Sequence, residues 1–411
     1  MLKHLTWLVK FADPRSLPII PVLAKNIEFL SGPSHFYNNL LDGIAKSSSR
    51  IILSALYLGT GHDESQLVQA ISDKLTESSA FEATILLDYH RAQRVNGDGQ
   101  SSTSLLKPLV PFANFNLSLI KLGNGLTPLD KFQKWNEIHS IYHSKFGLFD
   151  RDVLITGANL SEIYFKKRQD RYMVIKDSEI ISNYIFDLTK LLSNDIDSIA
   201  TSLQNQNRRY SNLFRDQDLH NDTYIIPLLQ HKKSRLTDID DFLRFLSDTP
   251  EDVEIHLSTG YFNPGKTIDS IRFESLLAPS DKANGFYGGR GLLSIVPKLY
   301  TSIYRSYLER HDGSRLYLYE RSDWSFHAKG IWIKFPEGIH MHIIGSSNFN
   351  LRSSERDLEF QLVLLTTNKN LINMLEEERQ YLWRDSRRSC IEDFPRIITH
   401  KALLPLVRSF L

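Results

Sequence analysis

The sequence predicts an α/β protein built as a duplication: two similar domains, each a mixed β-sheet flanked by helices, facing each other across one shared site. Two observations carry that expectation. Apolar runs of strand length alternate with amphipathic stretches of helix length along the chain, the pattern of α/β folds. In addition, one set of polar residues occurs twice, in the same order and the same apolar setting.

In order, residues 50–58 read as a buried strand, 63–78 as an amphipathic helix and 83–88 as a strand ending at Asp88. Residues 93–104 are rich in Gly and Ser, and 114–137 read as further loops. The stretch "IYHSKFGLFDRDVLITGAN" (141–159) is a β-hairpin by its alternation and its "DRD" turn. His143 and Lys145 open it, and Asn159 sits in the small-residue turn that ends it. Residues 177–204 read as helical, and the polar stretch 205–222 is the best linker candidate.

Beyond residue 222 the pattern returns. "HLSTGYFN" (256–263) matches "ILSALYLG" (52–59), pairing Leu257, Ser258 and Tyr261 with Leu53, Ser54 and Tyr57. A second hairpin opens at "FHAKGIWIK" (326–334), turns at "FPEG" and ends in "GSSN". His327, Lys329 and Asn348 therefore repeat His143, Lys145 and Asn159. A helix over 369–383 follows. The domains expected are an N-terminal segment 1–30, a first domain 31–204, the linker 205–222 and a second domain 223–411.

A single His-x-Lys carries little information in a chain with 14 histidines, and His231-Lys232-Lys233 is such a match in a polar stretch. The recurrence in one context carries the signal. On a strand, residues two apart share a face, so each pair presents an imidazole and an ammonium to the same side. Each copy also has a carboxylate about thirty residues past its histidine, Asp170 in "KKRQDRY" and Glu359 in "ERDLEFQLV".

Composition bounds the function. At 411 residues the chain is long enough for two cores, and 41% hydrophobic with 24% charged residues is ordinary for a globular protein. A net charge of +1 argues against a general nucleic-acid binder. The lone Cys390 excludes a disulfide framework, and no apolar run is long enough to span a bilayer. The first 25 residues set Lys3, His4, Lys10 and Arg15 against Asp13, a pattern shared by transit segments and ordinary basic helices.

Two histidines, two lysines and two asparagines converging from both halves suit an anionic phosphorus centre. The lysines and asparagines offset charge in the transition state, one histidine attacks phosphorus, and the other moves protons. Asp170 and Glu359 are placed to accept the second ring N–H of a histidine; their alternative is a salt bridge to Arg168, Arg171 or Arg356. No Cys/His metal cluster is visible, and the lysines occupy the place a metal would take.

These motifs resemble the phospholipase D superfamily and, within it, the mitochondrial phosphatidylglycerophosphate synthases of eukaryotes. The matching segments include "ALYLGTG", "HSKFGLFD", "GANLSEIYFKKRQDRY", "STGYFN", "NGFYGGRG", "FHAKGIWI" and "GSSNFNLRSSERDLE", spread over both halves. The resemblance implies transfer of a phosphatidyl group from CDP-diacylglycerol to glycerol 3-phosphate with release of CMP. It further implies no required cofactor or metal, a phosphohistidine intermediate on His143 with His327 as the acid–base group, and no nucleic-acid partner. Peripheral association with the matrix face of the mitochondrial inner membrane also follows from it. Serine or water as the acceptor is the alternative within the same superfamily.

By the same resemblance Asp150 takes the aspartate place of the first motif. Two positions depart from the pattern: Thr156 replaces a glycine, and Lys334 stands where the second aspartate belongs. Lys334 lies five residues past Lys329, so on a strand it faces away from the reacting groups; the same parity makes Asp150 structural. Further substrate contacts are expected from Tyr57, Arg91, Arg94, Arg168, Tyr261, Asn284, Arg290 and Arg352. For the lipid, "THKALLPLVRSFL" at the C-terminus reads as an interfacial helix and "SLPIIPVLA" (16–24) is a second apolar candidate, with core packing the alternative for both.

Overall fold

The computed structural model describes residues 8–122, 140–194, 196–212, 221–248, 252–289, 294–311, 313–336, 338–396 and 408. Two large sheets dominate it. Edge to edge, the first runs Ile27–Phe29, Tyr172–Ile175, Asp152–Thr156, Phe146–Phe149, Arg50–Ser54, Glu82–Asp88 and Phe115–Ile120. The second runs Ile20–Pro21, Thr223–His231, Glu359–Thr366, Ile339–Gly345, Gly330–Phe335, Glu254–Ser258, Ser275–Pro279, Arg315–Tyr319 and Ser386–Ser389, with Leu236–Thr237 beside Thr223–His231.

From Tyr172–Ile175 to Phe115–Ile120 and from Glu359–Thr366 to Arg315–Tyr319, the succession of pairings is the same. Three antiparallel pairings are followed by two parallel ones in each sheet. Parallel neighbours need crossover helices, and His62–Glu77 serves that role in the first half.

The sheets share a central core. Phe146, Leu148 and Ile155 of the first sheet pack in one cluster with Ile225, Leu229, Phe360 and Leu362 of the second, and the rings of Phe146 and Phe360 meet edge to face at 5.6 Å. Helices Glu179–Leu192, Ile199–Asn212 and Lys369–Trp383 close this core, while separate clusters fill the outer faces. Arg171 clamps the halves: its guanidinium donates to Glu378 at 2.6 and 2.8 Å and to the Ile343 carbonyl at 2.8 Å.

Several sequence expectations change here. Phe115–Ile120 is a strand pairing along Glu82–Asp88, not a loop. The helix over Ile199–Asn212 runs into the stretch taken as linker, because Gln206, Asn207 and Tyr210 are buried behind its polar exterior. The segment before residue 31 is built into both sheets: Ile20–Pro21 pairs with the second and Ile27–Phe29 with the first. "SLPIIPVLA" is accordingly core rather than a lipid-facing surface, with Leu17, Ile20, Val22 and Ala24 buried. Most of the C-terminal stretch expected as an interfacial helix lies outside the described residues. No helix among the described residues is long and apolar enough to cross a membrane.

Candidate active site

The two His-x-Lys motifs do not lie inside strands. Residues 143–145 and 327–329 fall in the short gap between an opening bridge and the hairpin strand that follows. Each opening bridge is made to the opposite half. Tyr142 bridges Leu358 in parallel, with the His143 N–H donating to the Leu358 carbonyl at 2.9 Å. Ser325–Phe326 pairs in parallel with Arg168–Gln169, with the His327 N–H donating to the Gln169 carbonyl at 2.8 Å. At each motif the chain thus leaves the partner half and joins its own sheet.

That crossing decides which carboxylate meets which histidine. One residue past each bridge, the His143 Nδ1 lies 2.9 Å from Glu359, and the His327 Nδ1 lies 2.7 Å from Asp170. Each histidine is held by the carboxylate of the other half. A carboxylate only accepts, so the proton belongs on Nδ1 and Nε2 is left as the reacting nitrogen. Glu359 also accepts from the Ser346 hydroxyl, and Asp170 accepts from the Arg171 N–H at 2.8 Å.

The repeated Leu-Ser-x-x-Tyr stretches support the same spots. Ser54 donates to the carbonyl of Ser144, between His143 and Lys145, and Ser258 donates to that of Ala328, between His327 and Lys329. Glycine is required at 260, where an added Cβ would sit 2.9 Å from the His327 Cα. At Gly157 it would meet Asp170 and the Lys329 Nζ within 3 Å.

Lys145 and Lys329 are fully buried. Burial, opposed by Glu359 and reinforced by Lys329, brings Lys145 down to about 7; burial, opposed by Asp170, brings Lys329 to about 8. Lys329 reaches Asp170 at 3.3 Å, donates to the Gly157 and His327 carbonyls, and brings its Nζ against both ring nitrogens of His327. Burial lowers both histidines, His327 most strongly because Lys329, Arg168 and Lys145 add to it. Burial pushes Asp170 up, whereas the pull of His143, Lys145 and Ser346 outweighs burial at Glu359 and holds it down.

The remaining residues named from sequence divide. Asn159 donates to the Tyr164 hydroxyl at 3.1 Å, and the Tyr164 ring stands edge-on to His327 at 5.2 Å. The Asn348 side-chain oxygen is buried without a partner among the described residues. Tyr261 flanks His327 at 5.5 Å, Arg91 covers the Tyr57 ring at 4.9 Å, and Arg94 follows half-buried one turn later. Arg168 donates to Ser325 at 2.8 Å and to Tyr164 at 3.1 Å. Asn284 is buried, and its side-chain NH2 has no partner among the described residues. Arg290 lies outside the described residues. Arg352 is engaged by Asp357 at 2.8 Å, whose other oxygen takes the Ile141 N–H, so it braces the approach to His143.

Asp150, placed in the catalytic set by the resemblance, holds a loop instead. Its carboxylate accepts from the backbone of Ser48, Ser49 and Arg50 and from both serine hydroxyls, next to its own left-handed φ of 52°. Lys334 is exposed and pairs with Glu254 at 3.7 Å. Tyr164 is the contact that sequence reasoning missed; its one available signal was its place four residues before Arg168 in a matched segment.

No protein-family model matches the chain. The mitochondrial CDP-diacylglycerol–glycerol-3-phosphate 3-phosphatidyltransferase of Gallus gallus is 30% identical over 476 residues, covering 96% of this chain and 85% of that protein. Its namesake in Homo sapiens is 29% identical over 441 residues, covering 89% and 79%. Among solved structures, the phosphatidylserine synthase of Haemophilus influenzae superposes with a TM-score of 0.78 at 19% identity, covering 98% of this chain and 97% of that one. That likeness is one of overall fold, and it extends over both halves of this chain. The identity to the named transferases runs through both halves, and the chain belongs to the CDP-diacylglycerol–glycerol-3-phosphate 3-phosphatidyltransferase family.

Proposed function

We propose that the chain transfers a phosphatidyl group from CDP-diacylglycerol to glycerol 3-phosphate, giving phosphatidylglycerophosphate and CMP by double displacement. The observation that carries the mechanism is the crossed pair of dyads, His143–Glu359 and His327–Asp170, with two buried lysines beside them. The His143 Nε2 attacks the phosphatidyl phosphorus; a P–N bond forms, and the P–O bond to CMP breaks with its electron pair leaving on the CMP phosphate. Glu359 offsets the positive charge that arises on the ring. In the second step the His327 Nε2 takes the proton of the primary hydroxyl of glycerol 3-phosphate. The hydroxyl oxygen bonds to phosphorus, and the P–N electron pair returns to His143.

Lys145 and Lys329 offset the charge of the phosphoryl oxygens as the pentavalent state forms. The scheme routes no step through a metal or organic cofactor. Both relatives named above carry "mitochondrial" in their names, which supports a mitochondrial location. We place the chain at the matrix face of the inner membrane as a peripheral protein. In favour of membrane contact, the exposed apolar Ile163 adjoins Tyr164 and the exposed Phe286 packs on Tyr261, and both of those tyrosines flank His327.

Rapid-quench turnover with lipid-labelled donor tests this. His327→Gln should release about one CMP per site and keep phosphatidyl on the protein, while His143→Gln should release none. Label on His327 instead reverses the roles. No protein-bound phosphatidyl group in any form, wild type included, defeats the two-step scheme. Glycerol 3-phosphate, serine and water compared as acceptors test the product.

A further inference from the structure

A cleft of about 690 Å³ opens at the paired strands Arg168–Gln169 and Ser325–Phe326, which lead directly into Asp170 and His327. Arg168 and Ser325, two residues before Asp170 and His327, form its inner wall. Lys167, Lys282 and Arg321 line it as well, against the carboxylates of Glu320 and Asp323. Glu320 is already drawn to Arg387 at 3.5 Å, so the lining keeps an excess of positive charge. The side chains of Lys167 and Lys282 have no ion-pair partner among the described residues.

The facing wall is the 280–287 loop. Asn284 lines the cleft at 3% exposure, and its buried side-chain NH2 has no acceptor among the described residues. Gly285 lets this loop close in: an added Cβ would sit 2.4 Å from the Tyr261 hydroxyl and 3.3 Å from the Arg168 guanidinium. Tyr261 in turn flanks His327. Tyr261 and, through its bond to Tyr164, Arg168 therefore stand between the cleft and the proton-carrying histidine.

Resting on the double displacement above, we propose that this cleft binds the phosphate of the acceptor, glycerol 3-phosphate. In that acceptor the attacking hydroxyl and the phosphate stand at opposite ends of a three-carbon chain. A hydroxyl presented to His327 leaves a dianion at the far end of the acceptor, and Lys167, Arg168 and Lys282 line the neighbouring cleft together with the Asn284 amide. The CMP phosphate, a monoester of the same chemistry, is the competing occupant.

Lys167→Ala, Lys282→Ala and the double variant separate the two in the full-length protein, since both side chains are exposed and carry no packing. The expected result is a KM for glycerol 3-phosphate raised about tenfold in each single variant and more in the double. Exchange of labelled CMP into CDP-diacylglycerol should keep its wild-type KM for CMP, and Lys282→Arg should restore most of the acceptor affinity. An unchanged KM for glycerol 3-phosphate overturns the proposal. Equal damage to CMP exchange also overturns it and gives the cleft to the nucleotide. Wild-type protein with neither exchange nor transfer defeats the parent reading and this one with it, whereas wild-type transfer with unaffected variants defeats only this one.

Discussion

Raising the pH should disarm the site well before an ordinary lysine would titrate. The phosphoryl group needs both buried ammonium groups, and their proton losses fall near 7 for Lys145 and 8 for Lys329. Treated as two successive steps of one coupled pair, the doubly charged form falls about tenfold from pH 7 to 8 and about fiftyfold more from 8 to 9. Ordinary lysines, near about 10.4, would give a flat profile over that range.

On the acid side, burial lowers His143, so the neutral nucleophile persists to below pH 6.5. The readout is kcat/KM for CDP-diacylglycerol in CMP exchange, which reports the free enzyme and omits the acceptor's own titration. Unfolding does not mimic the loss. Between about pH 8 and 10 the unfolded chain binds lysine protons that the folded one has shed, so the lysines' contribution to stability rises as activity falls. A kcat/KM that stays level to pH 9.5 would show that the lysines remain charged in the free site and would refute the electrostatic argument.

Two further outcomes follow from residues that the family pattern and the geometry treat differently. Asp150→Ala should cost about 1–3 kcal/mol in urea unfolding, through the loop donors it strands, while the folded protein keeps most of its transfer rate. Lys334→Ala should stay within about 0.5 kcal/mol and within about twofold in rate, whereas Lys329→Ala should lose transfer by orders of magnitude. Comparable losses in rate at 334 and 329 would mean that the exposed Lys334 also serves the reacting groups.

What could be read in the sequence was whatever repeats. The duplicated order of strands, the two hairpins and the small-residue turns are local patterns written twice, so each copy identifies the other. The carboxylates were legible as a type at a spacing, but not as partners. Which histidine Glu359 holds depends on the bridge of Tyr142 to Leu358, a contact between residues more than two hundred positions apart. Arg352 shows the same limit: beside the second asparagine it reads as a phosphate ligand, yet Asp357, five residues on, takes its guanidinium. "SLPIIPVLA" reads as a lipid surface because an edge strand in a second sheet looks, locally, like any apolar run.

The halves share a backbone plan but not an electrostatic state, and this bears on why such a site would favour transfer over hydrolysis. Burial depresses His327 further than His143, and the next contributions come from Lys329 and Arg168. A base so depressed is weak. Arg168 lines the acceptor cleft, so a dianion bound there cancels part of the field that weakens His327 and restores its basicity just when a hydroxyl is in place. Water brings no such charge. Glycerol, which lacks the phosphate, should therefore be a poor acceptor that improves when inorganic phosphate or phosphite is supplied separately. Activation of about tenfold, lost in the Lys167→Ala/Lys282→Ala double variant, is the expected outcome. If phosphite only inhibits transfer to glycerol, by competing in the cleft without activating, the acceptor's charge does not tune the base, and selection against water must lie in exclusion of solvent alone.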